Sequence, residues 1–443
     1  MTITEICKAT KGITNLSDFE VRGVTTDSRG DVAGKLFVPL IGESFDGHNY
    51  IKMALEKGAL CALSEKEGDD SDKNSSIIKV DSTRQALIDL ASYTRNNFNG
   101  PVVAITGSAG KTTTKDMIAS VLSQKYNTLK TLGNFNNDIG LPLTLLSKEA
   151  KHEAMVLEMG MNHLGEIRVL SHIGKPNICL ITNIGDAHIE NLGSREGILK
   201  AKSEIFEGMQ DGGTVILNGD DPLLVKLPKI AHAGKTIYCH LESAKNIVHK
   251  GLRGISCIIE GVQVDIPIPG KHNIMNALMS FAVGMELGLN PGQIAEGIKN
   301  FRPSGNRMAI SEFNGITIIN DTYNASPSSM KATLDMLKET EGRKVGILGD
   351  MFELGEYAEV MHKEVGQHAA LNVDLLIAIG PLSKHMYDAF INNSGQNALY
   401  YKTKEDFISE WQSHLKPGDA VLVKASRGMA LEAIVEKITN LEK

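Results

Sequence analysis

The sequence predicts an α/β protein of three domains: a small N-terminal α/β domain over residues 1–98, a central domain over 99–306 and a C-terminal domain over 307–443. Three observations predict it. A chain of 443 residues is long enough for about three separate cores. Two breaks divide it, Asn99-Gly100-Pro101 and the run Phe301 to Arg307, which holds Pro303 and Gly305. Within the two larger segments, short apolar β-branched runs alternate with stretches of helical period. That is the pattern of a mostly parallel sheet with helices on both faces.

In the first segment, Lys35–Leu40 and Ala59–Leu63 read as strands around a helix at Tyr50–Lys57, and Asp69–Ser76 as a solvated polar loop. Two polar clusters, Thr25–Gly30 and Glu43–His48, read as loops. The central segment opens with Val102–Ile105, a buried strand, followed by a helix carrying Met117, Ile118, Val121 and Leu122 up to Lys125. Further strands are expected near 154–158, 178–183 and 214–218, with helices near 164–172, 195–207 and 270–287. The last segment restarts the alternation. Its strands are expected at 316–320, 344–348, 374–379 and 420–424, and its helices at 327–339, 357–371, 404–414 and 428–440. This is a second doubly wound unit.

Between the first central strand and its helix lies Thr106-Gly107-Ser108-Ala109-Gly110-Lys111-Thr112-Thr113. Strand, glycine-rich turn and helix start form a phosphate cradle: the glycines let backbone N–H groups close on an anion, and the helix N-terminus adds partial positive charge. Lys111 would reach the β- and γ-phosphates, and the Thr112 hydroxyl would hold Mg²⁺. The general P-loop pattern has a glycine at the position of Ile105, so this is the shorter Gly-x-x-Gly-Lys-Thr form. In parallel sheets ligands sit beyond the carboxyl ends of the strands. Glu158 stands at one such end, where a carboxylate could meet the metal on Thr112, and His188 lies in the loop after another. Lys202 lies in a helical stretch, and composition alone does not distinguish it from Lys200.

The formal charge of −7 leaves no basic footprint, so nucleic acid is not an expected partner. No apolar run is long enough to span a membrane. The start lacks a basic, apolar leader, and five scattered cysteines (7, 61, 179, 239, 257) without paired metal spacing suit a reducing compartment. A cytoplasmic location is expected.

The run Gly107 to Thr112, Glu158-Met-Gly, the His188 loop and Ala201-Lys202 resemble the Mur ligases, ATP-dependent amide-forming enzymes of peptidoglycan precursor synthesis. The resemblance covers essentially the whole chain. It implies a three-domain architecture of UDP-substrate domain, central P-loop ATPase domain and C-terminal Rossmann-like domain. Three stretches, Gly133–Gly140, Asn320–Pro327 and Leu348–Gly355, are similar to the branch that joins D-alanyl-D-alanine to UDP-N-acetylmuramoyl-tripeptide. A monomer is expected.

The resemblance further implies roles. Glu158 and His188 would ligate Mg²⁺, and Lys202, carbamylated, a second Mg²⁺. Asn273 and Asn276 would border the adenine and Asp321 would bind the ribose, with Tyr323 and Asn324 nearby. Arg307 would approach the γ-phosphate. Ser28, Arg29, Asp46, Gly47 and His48 would form the uridine-diphosphate pocket. Asn134 and Asn137 would contact the peptide, and Ser426 and Arg427 would line the dipeptide side. Ala109, Asn320, Ser326 and Ala425 depart from the residues usual in that branch. Two other readings remain open on the sequence: another amide ligase of the Mur or folylpolyglutamate type, and a P-loop ATPase that uses ATP only for switching. The diamino-acid-adding branch usually carries Asp-Asn-Pro-Arg, which is absent here.

Overall fold

The computed structural model describes residues 1–66, 76–305, 307–393 and 395–439. The loop expected at Asp69–Ser76 lies, apart from Ser76, outside the described residues, as does Asn306 at the second break.

The N-terminal domain is a four-stranded parallel sheet in the order β1 (Val24–Thr25), β2 (Leu36–Phe37), β3 (Cys61–Ser64), β4 (Ile77–Lys79). The strand expected at Lys35–Leu40 shrinks to two paired residues. Beyond it, Pro39 carries no N–H for a ladder. Ile3, Ile6, Leu36, Val38, Leu63, Ile78 and Leu87 fill the core between this sheet and the helices Ile3–Thr10 and Thr83–Asn96.

The central domain carries six parallel strands: β5 (Val102–Thr106), β6 (Thr128–Lys130), β7 (Ala154–Glu158), β8 (Ile178–Ile181), β9 (Gly213–Asn218) and β10 (Ala233–Cys239). Their order is β10-β9-β8-β5-β7-β6, so β5 is central and the chain leaves it in both directions. β5, β7 and β8 are buried throughout, as expected of strands covered on both faces. The side chains of β5 alternate between two apolar layers. Val103 and Ile105 face Met117, Val121 and Phe281, while Val102 and Ala104 face Leu141, Ile167 and Ile205. A small antiparallel sheet, β11 (Lys245–His249), β12 (Ile255–Ile259) and β13 (Val262–Ile266), adds to the first layer; the sequence reading had not anticipated it.

The C-terminal sheet comprises β14 (Ala309–Phe313), β15 (Ile316–Asn320), β16 (Arg343–Gly349), β17 (Leu375–Ile379), β18 (Ala398–Tyr401) and β19 (Asp419–Lys424), in the order β14-β15-β19-β16-β17-β18. All pairings are parallel except β14 with β15, a hairpin at one edge. β14, β18 and the helix Ser383–Asn392 were not expected from the sequence; the other elements fall within a few residues of their predicted limits, although the helix expected at 428–440 is α-helical only over Glu432–Thr439. Among the described residues, no helix is long and apolar enough to cross a membrane.

Candidate active site at the carboxyl ends of the central strands

The helix Lys111–Leu122 starts directly after β5, with Gly110 as its N-cap at φ +80. A Cβ at Gly107 would stand 1.9 Å from Thr182 Oγ1, so the turn closes only with glycine there. The loop after β8 clamps this turn. Asn183 O accepts the Ser108 N–H (3.1 Å), Asn183 Oδ1 accepts the Ala109 N–H (2.9 Å), and Thr182 Oγ1 donates to Ala109 O (2.6 Å). Ser108 Oγ accepts the Gly185 N–H at 2.9 Å. Ala109 contributes only backbone to this clamp, so its departure from the usual residue leaves the cradle intact.

Lys111 Nζ donates to Gly107 O at 2.7 Å, folding the lysine back over its own loop. Desolvation lowers its pKa, against Glu158, which raises it, with Arg307 lowering it further. Thr112 Oγ1 donates to Glu158 Oε2 (2.8 Å), and Asn136 Nδ2 donates to Glu158 Oε1 (2.9 Å). Two hard oxygens, on Thr112 and Glu158, thus meet beside the cradle. Thr113 follows, partly buried, on the first helical turn. Lys202 is 1% exposed, has no hydrogen-bond or ion-pair partner among the described residues, and is pushed well below the ordinary lysine pKa by burial and then by Lys111. Lys200, two residues away, is exposed.

His188 adopts a left-handed backbone, φ +66. Its Nδ1 lies 2.7 Å from Glu353 Oε2 of the C-terminal domain, close but off the angle of a hydrogen bond. Glu353 is itself left-handed, φ +63, and His188 followed by Lys111 hold its carboxyl below the ordinary range. No three His, Cys, Asp or Glu side chains among the described residues converge into a metal cage. A cation here would take its remaining ligands from phosphate and water, the usual habit of Mg²⁺.

Several expected residues are spent on internal bonds. Asn273 Nδ2 donates to Pro269 O (2.6 Å) and Asn276 Nδ2 to Asn273 Oδ1 (2.9 Å), while Asn276 Oδ1 accepts from Thr114 (3.1 Å) and backs Gly110. Asp321, expected to be open to a ribose, is ion-paired with buried Lys424, and its Oδ1 accepts the Met308 N–H at 3.3 Å. Asn324 O receives a second bond from Lys424 (3.0 Å). Arg307 lies 3.7 Å over the Tyr323 ring, and Arg427 reaches the same ring from 5.9 Å. Ser426 Oγ accepts the Phe352 N–H at 2.8 Å, and Arg427 is exposed beside Glu432. In the asparagine tract, Asn137 Oδ1 accepts the Gly140 N–H (2.8 Å) at the start of the helix Gly140–Leu146, and Asn134 is exposed; it is Asn136 that reaches Glu158.

In the N-terminal domain Arg29 is exposed and forks onto Asp27, Nε donating to Oδ1 (2.9 Å) and Nη2 to Oδ2 (3.1 Å). Ser28 is buried, and its carbonyl accepts from Lys57 (3.1 Å). Asp46 caps the turn Gly47–Tyr50, accepting from the His48 N–H (2.9 Å), His48 Nδ1 (2.7 Å) and Lys66 (2.6 Å). Asp27, and to a smaller degree Tyr50 of that turn, act electrostatically on Arg29, so the two loops share one side of the domain.

The sequence reading missed Asn136, Asn183, Lys424 and Glu353. It also missed Lys115, 1% exposed one turn into the P-loop helix, 3.4 Å from Asp116 Oδ1 and 4.0 Å from Glu158 Oε2. Asp116 in turn accepts from Lys130 (2.7 Å) and from Ser304 Oγ (2.5 Å) in the linker to the C-terminal domain.

Three family models match the chain: "Mur ligase family, catalytic domain" over residues 20–95, "Mur ligase middle domain" over 105–284 and "Mur ligase, glutamate ligase domain" over 306–427. A UDP-N-acetylmuramoyl-tripeptide–D-alanyl-D-alanine ligase of Bacillus subtilis is 39% identical, covering 98% of this chain and 97% of its own length. The crystal structure of MurF from Acinetobacter baumannii superposes with a TM-score of 0.89 at 30% identity, over 99% of this chain and 98% of that one. MurF ligase from Thermotoga maritima, solved in complex with ADP, gives 0.82 at 29% identity, over 94% and 97%.

Proposed function

The chain belongs to the Mur ligase family, and we propose that it joins D-alanyl-D-alanine to UDP-N-acetylmuramoyl-tripeptide with conversion of ATP to ADP and phosphate. The observation that carries this reading is the cluster of Lys111, Thr112, Glu158 and unpartnered Lys202 at the carboxyl ends of β5 and β7, faced by Arg307 and Glu353 of the C-terminal domain.

A carboxylate does not react with an amine at neutral pH, because oxide would have to leave. Transfer of the γ-phosphoryl group to the tripeptide carboxylate gives an acyl phosphate; the dipeptide amine attacks it and phosphate departs. Negative charge gathers where carboxylate meets phosphate, and Lys111 and Arg307 are the side chains that neutralise it. The cradle's N–H groups orient the chain of phosphates. Closing the C-terminal domain on the central one excludes water from the acyl phosphate.

The donors suit Mg²⁺. Thr112 and Glu158 supply hard oxygens 2.8 Å apart, and His188 turns Nδ1 to Glu353, leaving Nε2 for a metal. When bound, the ion would supply positive charge to the phosphate oxygens. Lys202 as a carbamate would offer a further oxygen ligand, and its burial without a partner favours the uncharged amine that adds CO₂. The uridine diphosphate would lie against Ser28, Arg29 and the Asp46–His48 turn. The peptide would run past Asn134 and Asn137, the adenosine between Asn273, Asn276 and Asp321 with Tyr323 and Asn324, and the dipeptide against Ser426 and Arg427. With nucleotide-linked substrates, this is a cytoplasmic reaction.

The test is phosphate release by the purified protein. It should require ATP, UDP-muramoyl-tripeptide and D-alanyl-D-alanine together; ATP turnover indifferent to either acceptor would overturn the reading. Lys111→Ala should abolish release. Lys202→Ala should lose nearly all activity and regain part of it in acetate or formate, while Lys200→Ala stays active; an active Lys202→Ala removes the carbamate.

A further inference from the structure

In the stretch Asp350–Leu354 the backbone is anchored, and the side chains of Phe352 and Glu353 turn outward. Asp350 is buried and its Oδ1 accepts both the N–H and the hydroxyl of Ser383, each at 2.7 Å. The Met351 N–H donates to His362 Nε2 at 3.0 Å, the Phe352 N–H to Ser426 Oγ at 2.8 Å, and Leu354 is buried. Glu353 alone projects across the gap between domains, its side chain 47% exposed. One oxygen meets His188; the other has no partner among the described residues. Both facing residues sit in the left-handed region, which side chains enter at a cost, so the loop holds this carboxylate forward against local preference.

We propose that Glu353 anchors the ammonium group of the incoming dipeptide beside the acyl carbon; the nitrogen attacks once one proton has passed to water, and a second is lost to water as the tetrahedral adduct expels phosphate and becomes the amide. This deepens the ligase reading and rests on it. The amine arrives with a positive charge and must dock beside Lys111 and Arg307, which repel it; an anion has to face them. Three buried carboxylates nearby are engaged, Glu158 by Thr112 and Asn136, Asp321 by Lys424 and Asp350 by Ser383, whereas Glu353 is half-exposed with one oxygen open. The same loop is hydrogen-bonded to the turn that carries exposed Arg427, a cation suited to the dipeptide's carboxylate. Loop and turn together present one acid and one base to a zwitterion.

Steady-state kinetics of wild type, Glu353→Gln and Glu356→Gln test this, with D-lactoyl-D-alanine as an inhibitor that carries a hydroxyl where the dipeptide carries its ammonium. Glu356 is an exposed acid three residues on and serves as the local charge control. Glu353→Gln should raise the KM for D-alanyl-D-alanine on the order of 10- to 100-fold, the loss of one charged hydrogen bond. The KM values for ATP and the tripeptide, and inhibition by D-lactoyl-D-alanine, should stay within about twofold, a margin far below the loss of such a bond. Glu356→Gln should match wild type. An unchanged dipeptide KM overturns the proposal. So does equal weakening of D-lactoyl-D-alanine, which would mean a distorted loop. A shifted Mg²⁺ requirement in place of the dipeptide effect also overturns it, and makes Glu353 an orienting group for His188. If wild type shows no dipeptide-dependent phosphate release, the ligase reading itself falls and this inference with it.

Discussion

Between the N-terminal and central domains, Arg95 is buried with Nε on Gly174 O (2.6 Å), Nη2 on Lys175 O (2.6 Å) and Nη1 on Phe98 O (2.9 Å). Gly174 and Lys175 end the helix Glu166–Gly174, where carbonyls lack helical partners and the dipole favours a cation. Ile139, Leu143 and Leu146 of the central domain pack into the N-terminal core. Between the central and C-terminal domains the contacts are of another kind: His188 against Glu353 and Gly185 near Ser328, with Leu252 and Met361 as apolar additions, while Ser304 of the linker is tied back to Asp116. The first seam is desolvated and fixes a geometry. The second is polar and partly wet, so its two sides separate at little cost. A ligase that must admit three substrates and then exclude water needs one seam of each kind.

Replacing Arg95 with leucine would break this contrast most severely. Three charged hydrogen bonds vanish and three carbonyls lose their donor, a destabilisation of about 4 kcal/mol. Trp411, the single tryptophan, reports the C-terminal domain alone. In urea, the far-UV dichroism transition should move to lower denaturant while the Trp411 fluorescence transition stays in place. If both move together, the second seam is as rigid as the first.

Lys424→Met probes the converse, that the C-terminal domain is held from within. It leaves Asp321 as an uncompensated buried charge, worth about 3 kcal/mol. Here the fluorescence transition should move and the remaining dichroism change should not. If Asp321 serves the ribose as proposed, the KM for ATP should rise more than that for the muramoyl substrate; a shift in the muramoyl KM alone would reassign Asp321.

Ser304→Ala sharpens the comparison at one atom. Losing the bond to Asp116 releases the linker next to Arg307. The expected effect is a several-fold fall in kcat, about 1 kcal/mol, with the KM for ATP and the urea transitions unmoved. Smallest is the effect of salt. Raising ionic strength to about 1 M screens the half-exposed Glu353 carboxylate from Lys111 across the seam. The radius of gyration from small-angle scattering should increase slightly with no change in dichroism; a constant radius would mean the seam does not depend on charge.

The cradle and the strand ends were legible because their signals are local: an apolar run, then small residues, then a helical period. Glu158 is the last residue of β7, as its position after Met155-Val156-Leu157 implied. What was not legible depends on tertiary packing. Lys115 carries no signal in the sequence and Lys202 does not stand apart there from Lys200, yet each is 1% exposed. Three asparagines in Asn134–Asn137 look alike in sequence, and only the fold turns Asn136 to Glu158. The strand β11 escaped notice because all five residues are exposed and show no alternation, and β18 because its four residues are all only partly buried. Asp321 was read without its partner, since Lys424 lies 103 residues away.

The linker itself has a quantitative consequence. Phe301 is fully buried in the central core, and Ala309 already belongs to β14, so eight residues' advance joins two fixed points. A fully extended chain of that length spans roughly 28 Å. However far the C-terminal domain swings, it stays on a short leash, and its effective concentration at the P-loop is on the order of millimolar or higher. Re-engagement is then a unimolecular event that needs no affinity comparable to that of two free proteins. Weak contacts at the second seam suffice to bring the domains together, and their weakness lets product leave.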